Sequence, residues 1–195
     1  MTKTPGGRRV DGLETDMTEF GTLVLGGARS GKSRFAEELV FSSGLERLYV
    51  ATSPVIDEEM KDRVALHKAQ RGQHWRTLEE ELDLVGVLEC EAAPGKVLLV
   101  DCLTLWLNNL IYRERNVAEE TTALCEAVRH LVSPCVFVSN EIGMGLVPDN
   151  RLSREFRDAQ GRLNQDMANV CGKVVFVAGG LPLLLKPNQQ PEITI

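Results

Sequence analysis

The segment GGARSGKS, residues 26–33, constrains this chain more than any other stretch of it. It matches the pattern G-x-x-x-x-G-K-[ST], follows the apolar run TLVLG (22–26) and precedes a segment with helical character. In such a loop backbone N–H groups surround phosphate oxygens, the lysine reaches the terminal phosphates and the final hydroxyl binds magnesium. A chance match is the alternative, and the flanking strand and helix argue against it. We therefore predict a nucleotide-phosphate site made of Gly26, Gly27, Ala28, Arg29, Ser30, Gly31, Lys32 and Ser33.

Short runs rich in Val and Leu recur at intervals typical of strands, at 22–26, 47–51, 97–101, 135–139 and 174–178. Their hydrophobicity is continuous, as in parallel strands that helices cover on both faces. Segments with helical character lie between them, at 33–43, 58–71, parts of 77–91, 103–113, 118–131 and 153–170. We expect a single α/β P-loop domain of the RecA-like type. Its mostly parallel sheet should be flanked by helices and should bind ligands beyond the carboxyl ends of the strands.

The length of 195 residues fits one domain, placed at 21–186, with a flexible extension at 1–20 and a tail at 187–195. No apolar run approaches the length of a membrane span, and the first residues lack the apolar stretch of a signal peptide. The net charge of -6 argues against a nucleic-acid-binding protein. Five cysteines without metal-ligand spacing indicate reduced thiols and a cytoplasmic protein.

The run VLLVD places Asp101 at the end of a predicted strand. A P-loop site needs a second acidic residue near its magnesium ion, and an aspartate at the carboxyl end of a neighbouring strand supplies it. The pattern alone is common, and Asp101 as a cap for the following helix is the alternative reading. Together with the P-loop it predicts Ser33 and Asp101 as the magnesium ligands.

His67 lies in a cationic stretch with Arg63, Lys68 and Arg71. On a helix Arg63, His67 and Arg71 would share one face, at i, i+4 and i+8. A solvated amphipathic helix is the simpler explanation. The alternative is a phosphorus-transfer site, because cationic neighbours lower the pKa of a histidine and so keep it neutral and nucleophilic. The same cations would stabilise charge on a transferred phosphoryl group.

Several segments in the same order resemble one family over about residues 21–180. These are GGARSGKS, ATS, RVALHKAQRGQHWRTLEE, DCLTLWLNN and NEIGMGLVPDNRLSREFRDAQGRLNQDMA. They are similar to the bifunctional adenosylcobinamide kinase/adenosylcobinamide-phosphate guanylyltransferases of cobalamin biosynthesis. The glycine at position 72 departs from the proline that many members carry there.

The resemblance implies that His67 becomes covalently guanylylated before GMP passes to the cobinamide phosphate. It also implies a magnesium-dependent homotrimer that uses ATP and GTP as substrates and acts on adenosylcobinamide and its phosphate. The implied nucleotide-binding positions are residues 26–33 together with Ala51, Thr52, Ser53, Lys68, Ala69, Gln70, Arg71, Glu79 and Asp101.

Without the family resemblance, the residues are also compatible with two other functions. One is a small-metabolite kinase that uses the P-loop without guanylyl transfer. The other is a non-catalytic nucleotide-binding switch, although SNEIGMG after the fourth predicted strand lacks the N-K-x-D pattern expected of a signalling GTPase.

Overall fold

The computed structural model of the chain describes residues 18–53 and 75–187. Within them the chain forms seven strands and five helices. In chain order these are β1 (Thr18–Gly26), α1 (Lys32–Ser42), β2 (Glu46–Ala51), β3 (Trp75–Glu79), α2 (Leu84–Glu91), β4 (Lys96–Asp101), α3 (Leu103–Tyr112), α4 (Val117–Arg129), β5 (Cys135–Asn140), α5 (Arg151–Val170), β6 (Cys171–Ala178) and β7 (Leu181–Lys186). No helix in this part of the chain is long and apolar enough to cross a membrane.

All seven strands join one sheet in the order β3-β2-β4-β5-β1-β6-β7. Strands β1 to β6 run parallel, and β7 pairs with β6 in the antiparallel direction. The strand that leads into the P-loop, β1, and the strand that ends at Asp101, β4, both pair with β5. The predicted α/β fold with a mostly parallel sheet is confirmed.

Two apolar cores lie on the two faces of the sheet. In β1, Leu23 and Leu25 belong to the larger core and Val24 belongs to the smaller one. In β4, Leu98 and Val100 face the larger core, while Val97 and Leu99 face the smaller one. Successive residues of a strand point to opposite faces, so a strand buried on both faces needs a continuous apolar run. This burial explains why the inner strands were recognisable in the sequence.

The helix predicted in parts of 77–91 is α2, and the strand β3 before it was not predicted. The helix begins at Leu84, where the Asp83 carboxylate accepts a hydrogen bond from the N–H of Gly86. The preceding residues pair in parallel with β2, from Arg47 opposite Trp75 to Ala51 opposite Glu79. Pairing with a neighbouring strand overrides the local helix preference of the leucine and glutamates in this segment.

The strand β7 was not predicted, although it follows the predicted strand at 174–178 directly. Gly179 and Gly180 have φ values of 58° and 81°, which is the left-handed region that glycine enters at little cost. These two residues form the tight turn that lets the chain reverse and pair antiparallel with β6. At the other end of the chain β1 begins at Thr18, inside the extension expected at 1–20.

Four of the five cysteines are buried, and Cys90 is exposed. Burial raises the pKa of the Cys102 thiol to about 11, with a further rise from the negative charge of Asp101. Burial likewise raises the pKa of Cys125 to about 11 and that of Cys171 to about 12. For Cys135, burial raises the thiol pKa well above its ordinary range. The interior thiols therefore stay protonated and unreactive at neutral pH.

We expect iodoacetamide at pH 7.5 to label Cys90 in the native protein at least about 100-fold faster than Cys102, since the thiolate is the nucleophile. Peptide mapping by mass spectrometry measures the two rates, and urea-denatured protein, in which all five thiols should react, is the control. Equal labelling of Cys90 and Cys102 in the native state would contradict this expectation.

Because burial raises the folded-state pKa of the Cys102 thiol, the stability that the neutral thiol contributes is complete below about pH 9 and is lost as the pH rises through 11.

Candidate nucleotide-binding site

The P-loop connects the carboxyl end of β1 to the first turn of α1, as its sequence predicts. Gly31 precedes α1 with φ 93°, a conformation that disfavours any residue with a Cβ. Gly26 is required for space, because a Cβ there would lie 2.6 Å from the carbonyl oxygen of Val177 and 2.5 Å from Oγ of Ser30. These two glycines let the backbone curl tightly enough to turn several N–H groups toward a bound phosphate.

Neighbouring strands hold the P-loop in place. The N–H of Gly180, in the turn before β7, donates to the carbonyl of Ser30 at 2.8 Å. The N–H of Glu141, just after β5, donates to the carbonyl of Gly26 at 3.0 Å. Within the loop, Lys32 Nζ donates to the carbonyl of Gly27 at 3.3 Å. The loop is therefore braced from two sides before any nucleotide binds.

Asp101 lies at the same edge of the sheet as the P-loop, two strands away. Its Oδ2 accepts a hydrogen bond from the Tyr49 hydroxyl at 3.1 Å, which orients the half-buried carboxylate. Both Asp101 and Lys32 act electrostatically on Cys102, the first raising and the second lowering the pKa of its thiol. Both charged groups therefore lie within electrostatic range of Cys102, the residue that follows Asp101.

These groups are chemically suited to magnesium. A serine hydroxyl and a carboxylate are hard oxygen ligands, and Mg²⁺ in nucleotide sites takes one or two such ligands together with phosphate oxygens. Ser33 lies in the first turn of α1, and Asp101 is the last residue of β4. In the described part of the chain no cluster of three or more His, Cys, Asp or Glu side chains could hold a metal ion by itself.

Thr52 has a structural role that its predicted place in the nucleotide site did not suggest. Its buried hydroxyl donates to the carbonyl of Cys102 and accepts from the N–H of Cys102, both at 2.8 Å. Asn109 Nδ2 donates to the carbonyl of Thr52, also at 2.8 Å. Thr52 therefore fixes the backbone immediately after Asp101, and its side chain is occupied by these contacts.

Replacing Thr52 with valine should lower the free energy of unfolding by about 1–3 kcal/mol, because it removes the hydroxyl that accepts the hydrogen bond from the buried N–H of Cys102. The matched control is Thr122→Val, which removes an exposed hydroxyl that donates to Ala118 and should change stability by less than about 0.5 kcal/mol. Urea unfolding followed by circular dichroism measures both values. Equal stability of the two variants would show that the hydroxyl of Thr52 does not support this segment.

Three further predicted positions, Ala51, Ser53 and Glu79, lie at the same edge of the sheet as the P-loop but on or after strands that are farther from it. Ala51 ends β2 opposite Asp101, with Ser53 following two residues later, and Glu79 ends β3 opposite Ala51. Strand β3 lies four inter-strand spacings from β1, roughly 19 Å at about 4.8 Å per spacing. A nucleotide that reached from the P-loop to Glu79 would have to extend along the carboxyl ends of the strands.

The histidine and the cationic residues of the predicted transfer site lie outside the described residues. The structure therefore leaves their roles as predictions from the sequence. The residues concerned are Arg63, His67, Lys68 and Arg71, together with the predicted nucleotide-binding positions Ala69 and Gln70, all within the helix expected at 58–71.

Sequence reasoning missed Glu141 as a neighbour of the P-loop. Its backbone contacts Gly26, and its carboxylate accepts from the N–H of Gly143 at 2.5 Å. The preceding residue, Asn140, is held by Thr104 Oγ1 through its N–H and by Asn164 Nδ2 through its carbonyl. The available signal was that Glu141 follows a strand of the same parallel sheet, which places it at the ligand-binding edge.

Residues 22–185 match the family model described as "Cobinamide kinase / cobinamide phosphate guanyltransferase". The chain belongs to this family. Its relatives include the "Bifunctional adenosylcobalamin biosynthesis protein CobP" of Pseudomonas aeruginosa, 49% identical over 84% of this chain and 96% of the relative. The relatives named CobU from Escherichia coli and Salmonella typhimurium are 37% and 38% identical, over 84% of this chain and 98% of each relative. The resemblance found in the sequence is confirmed.

Solved structures with low sequence identity share the fold. The PH0250 protein of Pyrococcus horikoshii superposes with a TM-score of 0.53 at 11% identity, over 87% of both chains. An ATPase from a bacterial type III secretion system gives a TM-score of 0.51 at 10% identity, over 81% of this chain and 51% of that one. At such identities the likeness concerns the architecture alone.

Proposed function

We propose that this chain phosphorylates the free hydroxyl of adenosylcobinamide with ATP or GTP and then transfers GMP from GTP to the new phosphate. The observation that carries the proposal is the placement of the P-loop and Asp101 at one edge of the sheet, in a chain of the cobinamide kinase/guanyltransferase family. The CobP and CobU relatives are named as bifunctional proteins of adenosylcobalamin biosynthesis, which supports two activities on one chain.

In the kinase step, the hydroxyl oxygen of cobinamide bonds to the γ-phosphorus while the bond from that phosphorus to the bridging oxygen breaks. Nucleoside diphosphate leaves, and the hydroxyl proton is released. Lys32 and the P-loop amides supply positive charge and hydrogen bonds to the phosphate oxygens where negative charge accumulates. Because the loop is already braced by Gly180 and Glu141, these donors need little rearrangement during the reaction.

In the guanylyl step, a ring nitrogen of His67 attacks the α-phosphorus of GTP, and pyrophosphate leaves. A phosphate oxygen of adenosylcobinamide phosphate then attacks the same phosphorus, the histidine departs, and adenosylcobinamide-GDP forms. The covalent intermediate divides one displacement into two. Arg63, Lys68 and Arg71 would balance the phosphate charge beside His67.

Magnesium would be held by the Ser33 hydroxyl, in the first turn of α1, and by the Asp101 carboxylate, at the end of β4. When bound, the ion neutralises charge on the nucleotide phosphates. Tyr49 would keep the carboxylate turned for this contact through its hydrogen bond to Oδ2.

We also infer that the protein is a homotrimer in the cytoplasm and that it binds no nucleic acid. The antiparallel edge strand β7 supports self-association, since Leu181, Leu183, Leu184 and Leu185 are all exposed on it in the single chain. An edge strand with several exposed leucines is a surface that proteins commonly cover with another chain. The net charge of -6 supports the absence of nucleic-acid binding.

The two activities are tested together by incubating the purified chain with adenosylcobinamide, ATP, GTP and Mg²⁺ and identifying the corrinoid products by mass spectrometry. We expect the phosphate first and the GDP derivative next, with pyrophosphate released only in the second step. A small-metabolite kinase would form no GDP derivative. A non-catalytic switch would bind nucleotide and convert no corrinoid, and either result would reject the bifunctional assignment.

A further inference from the structure

A cavity of about 390 Å³ lies at the carboxyl edge of the sheet, outside the P-loop. It opens to solvent and is lined by residues of α3, of the connection between β5 and α5, and of the first turns of α5. Its apolar lining comes from Ile111, Ile142, Pro148, Leu152 and Phe156. Small-molecule sites are typically concave and mostly apolar with a few polar groups, and this cavity has that composition.

The apolar surface continues beyond the cavity along the same connection. Met144, Leu146 and Val147 are exposed, with Leu146 at 95% of its maximal exposure. Leu152, on the cavity wall, is also exposed, at 66%. Adjoining apolar side chains that remain in water commonly mark a binding surface. The cavity and these residues therefore form one continuous apolar face, which we call the β5–α5 face.

The β5–α5 face begins next to the phosphate-binding loop. Glu141, the first residue after β5, donates its N–H to the carbonyl of Gly26 at 3.0 Å. The next residue, Ile142, lines the cavity. The cavity wall thus starts one residue from a direct contact with the P-loop. A ligand resting on this face can present a hydroxyl to phosphates held by that loop.

Three polar side chains on the cavity wall define the chemistry of the ligand. They are Asn108, Ser153 and Arg157. The amide of asparagine and the hydroxyl of serine both donate and accept hydrogen bonds, whereas the guanidinium only donates. A ligand with an apolar body and uncharged amide groups satisfies all three. The cavity lining contains no carboxylate, which argues against a polycationic ligand.

We propose that the β5–α5 face binds the corrinoid ring of cobinamide, an inference that rests on the proposed function. The ring carries methyl groups and neutral amide arms and is larger than the cavity. Its edge would therefore enter the cavity while one face covers Met144, Leu146 and Val147. The amide arms pair with Asn108, Ser153 and Arg157. In this position the hydroxyl arm of cobinamide extends past Glu141 to the P-loop. The nucleotide binds along the carboxyl edge of the sheet, from the P-loop toward β4 and β2.

The test is Leu152→Asp, measured by equilibrium dialysis against cobinamide without nucleotide. Leu152 is the second residue of α5, where an acidic side chain favours the helix, so the variant should fold normally. Burying a carboxylate against the ring should weaken cobinamide binding at least about tenfold. ATP binding should stay within about twofold of the wild type. The matched control is Val132→Asp, which changes an exposed valine just before β5, at the opposite edge of the sheet.

Light scattering of each variant separates a corrinoid site from an interface between copies of the chain. Weaker cobinamide binding at unchanged mass supports the proposal. Unchanged binding in Leu152→Asp, an equal loss in Val132→Asp, or a fall in oligomeric mass in Leu152→Asp overturns it. A wild type that binds cobinamide through this face and converts none of it would reject the proposed function while leaving the binding site in place.

Discussion

Replacing Lys32 with alanine is expected to lower the rates of both cobinamide phosphorylation and protein guanylylation by at least about 100-fold, the usual effect of removing one preorganised transition-state donor. Lys32 Nζ lies 3.3 Å from the carbonyl of Gly27, inside the loop that would hold the triphosphate of either donor nucleotide. The kinase step leaves charge on the departing diphosphate, and the guanylyl step leaves charge on pyrophosphate. One cation therefore serves both reactions.

Initial rates of corrinoid phosphate formation and of GMP attachment, measured on the same preparation, check this expectation. The matched control is Lys173→Ala, since Lys173 is an exposed lysine near the start of β6, away from the carboxyl edge of the sheet. Circular dichroism establishes that both variants are folded. If Lys32→Ala retained one of the two reactions at the wild-type rate, that reaction would not use the P-loop, and the two activities would have separate nucleotide sites.

The inner strands of the sheet were predictable because burial on both faces leaves a local signature. Segments such as VLLVD and CVFVS are apolar at every position except the last, and they became β4 and β5. The edge strand β3 has no such signature, since WRTLE alternates irregularly between half-buried and exposed positions. Its strand conformation comes from pairing with β2, which is more than twenty residues earlier in the chain. The sequence of the segment itself does not indicate that β2 is its pairing partner.

The residues of the site differ in the same way between local and long-range contacts. The P-loop was recognisable because its geometry depends on neighbouring residues, with Gly26 and Gly31 supplying space and φ locally. The contact of Thr52 with Cys102 spans fifty residues, and the contact of Glu141 with Gly26 depends on β5 pairing with β1. Chain spacing does not predict such contacts. Thr52 was therefore assigned to the nucleotide alone, and Glu141 was not recognised.

Replacing His67 with alanine is expected to abolish the covalent GMP adduct that GTP forms on the wild-type protein, while leaving GTP binding measurable. The expectation rests on the position of His67 among Arg63, Lys68 and Arg71 and on its match to the family's guanylylated histidine. Intact-mass spectrometry after incubation with GTP and Mg²⁺ measures the adduct. The control is His130→Ala, which removes an exposed histidine whose Nε2 lies 3.0 Å from Glu126 Oε1, following α4. An undiminished adduct in His67→Ala would place the nucleophile elsewhere.

The chemistry of the adduct tests the histidine assignment without any substitution. A bond between phosphorus and an imidazole nitrogen hydrolyses in acid, because protonating the ring turns imidazole into a good leaving group, and it persists in mild alkali. A phosphate ester of Ser or Thr survives acid, since its oxygen leaving group gains no comparable advantage from protonation. Protein treated with labelled GTP, then denatured and held at acidic or alkaline pH, should lose its label only in acid. A label stable in acid would contradict a guanylyl-histidine even if His67→Ala lost the adduct, because the substitution could then act through nucleotide binding.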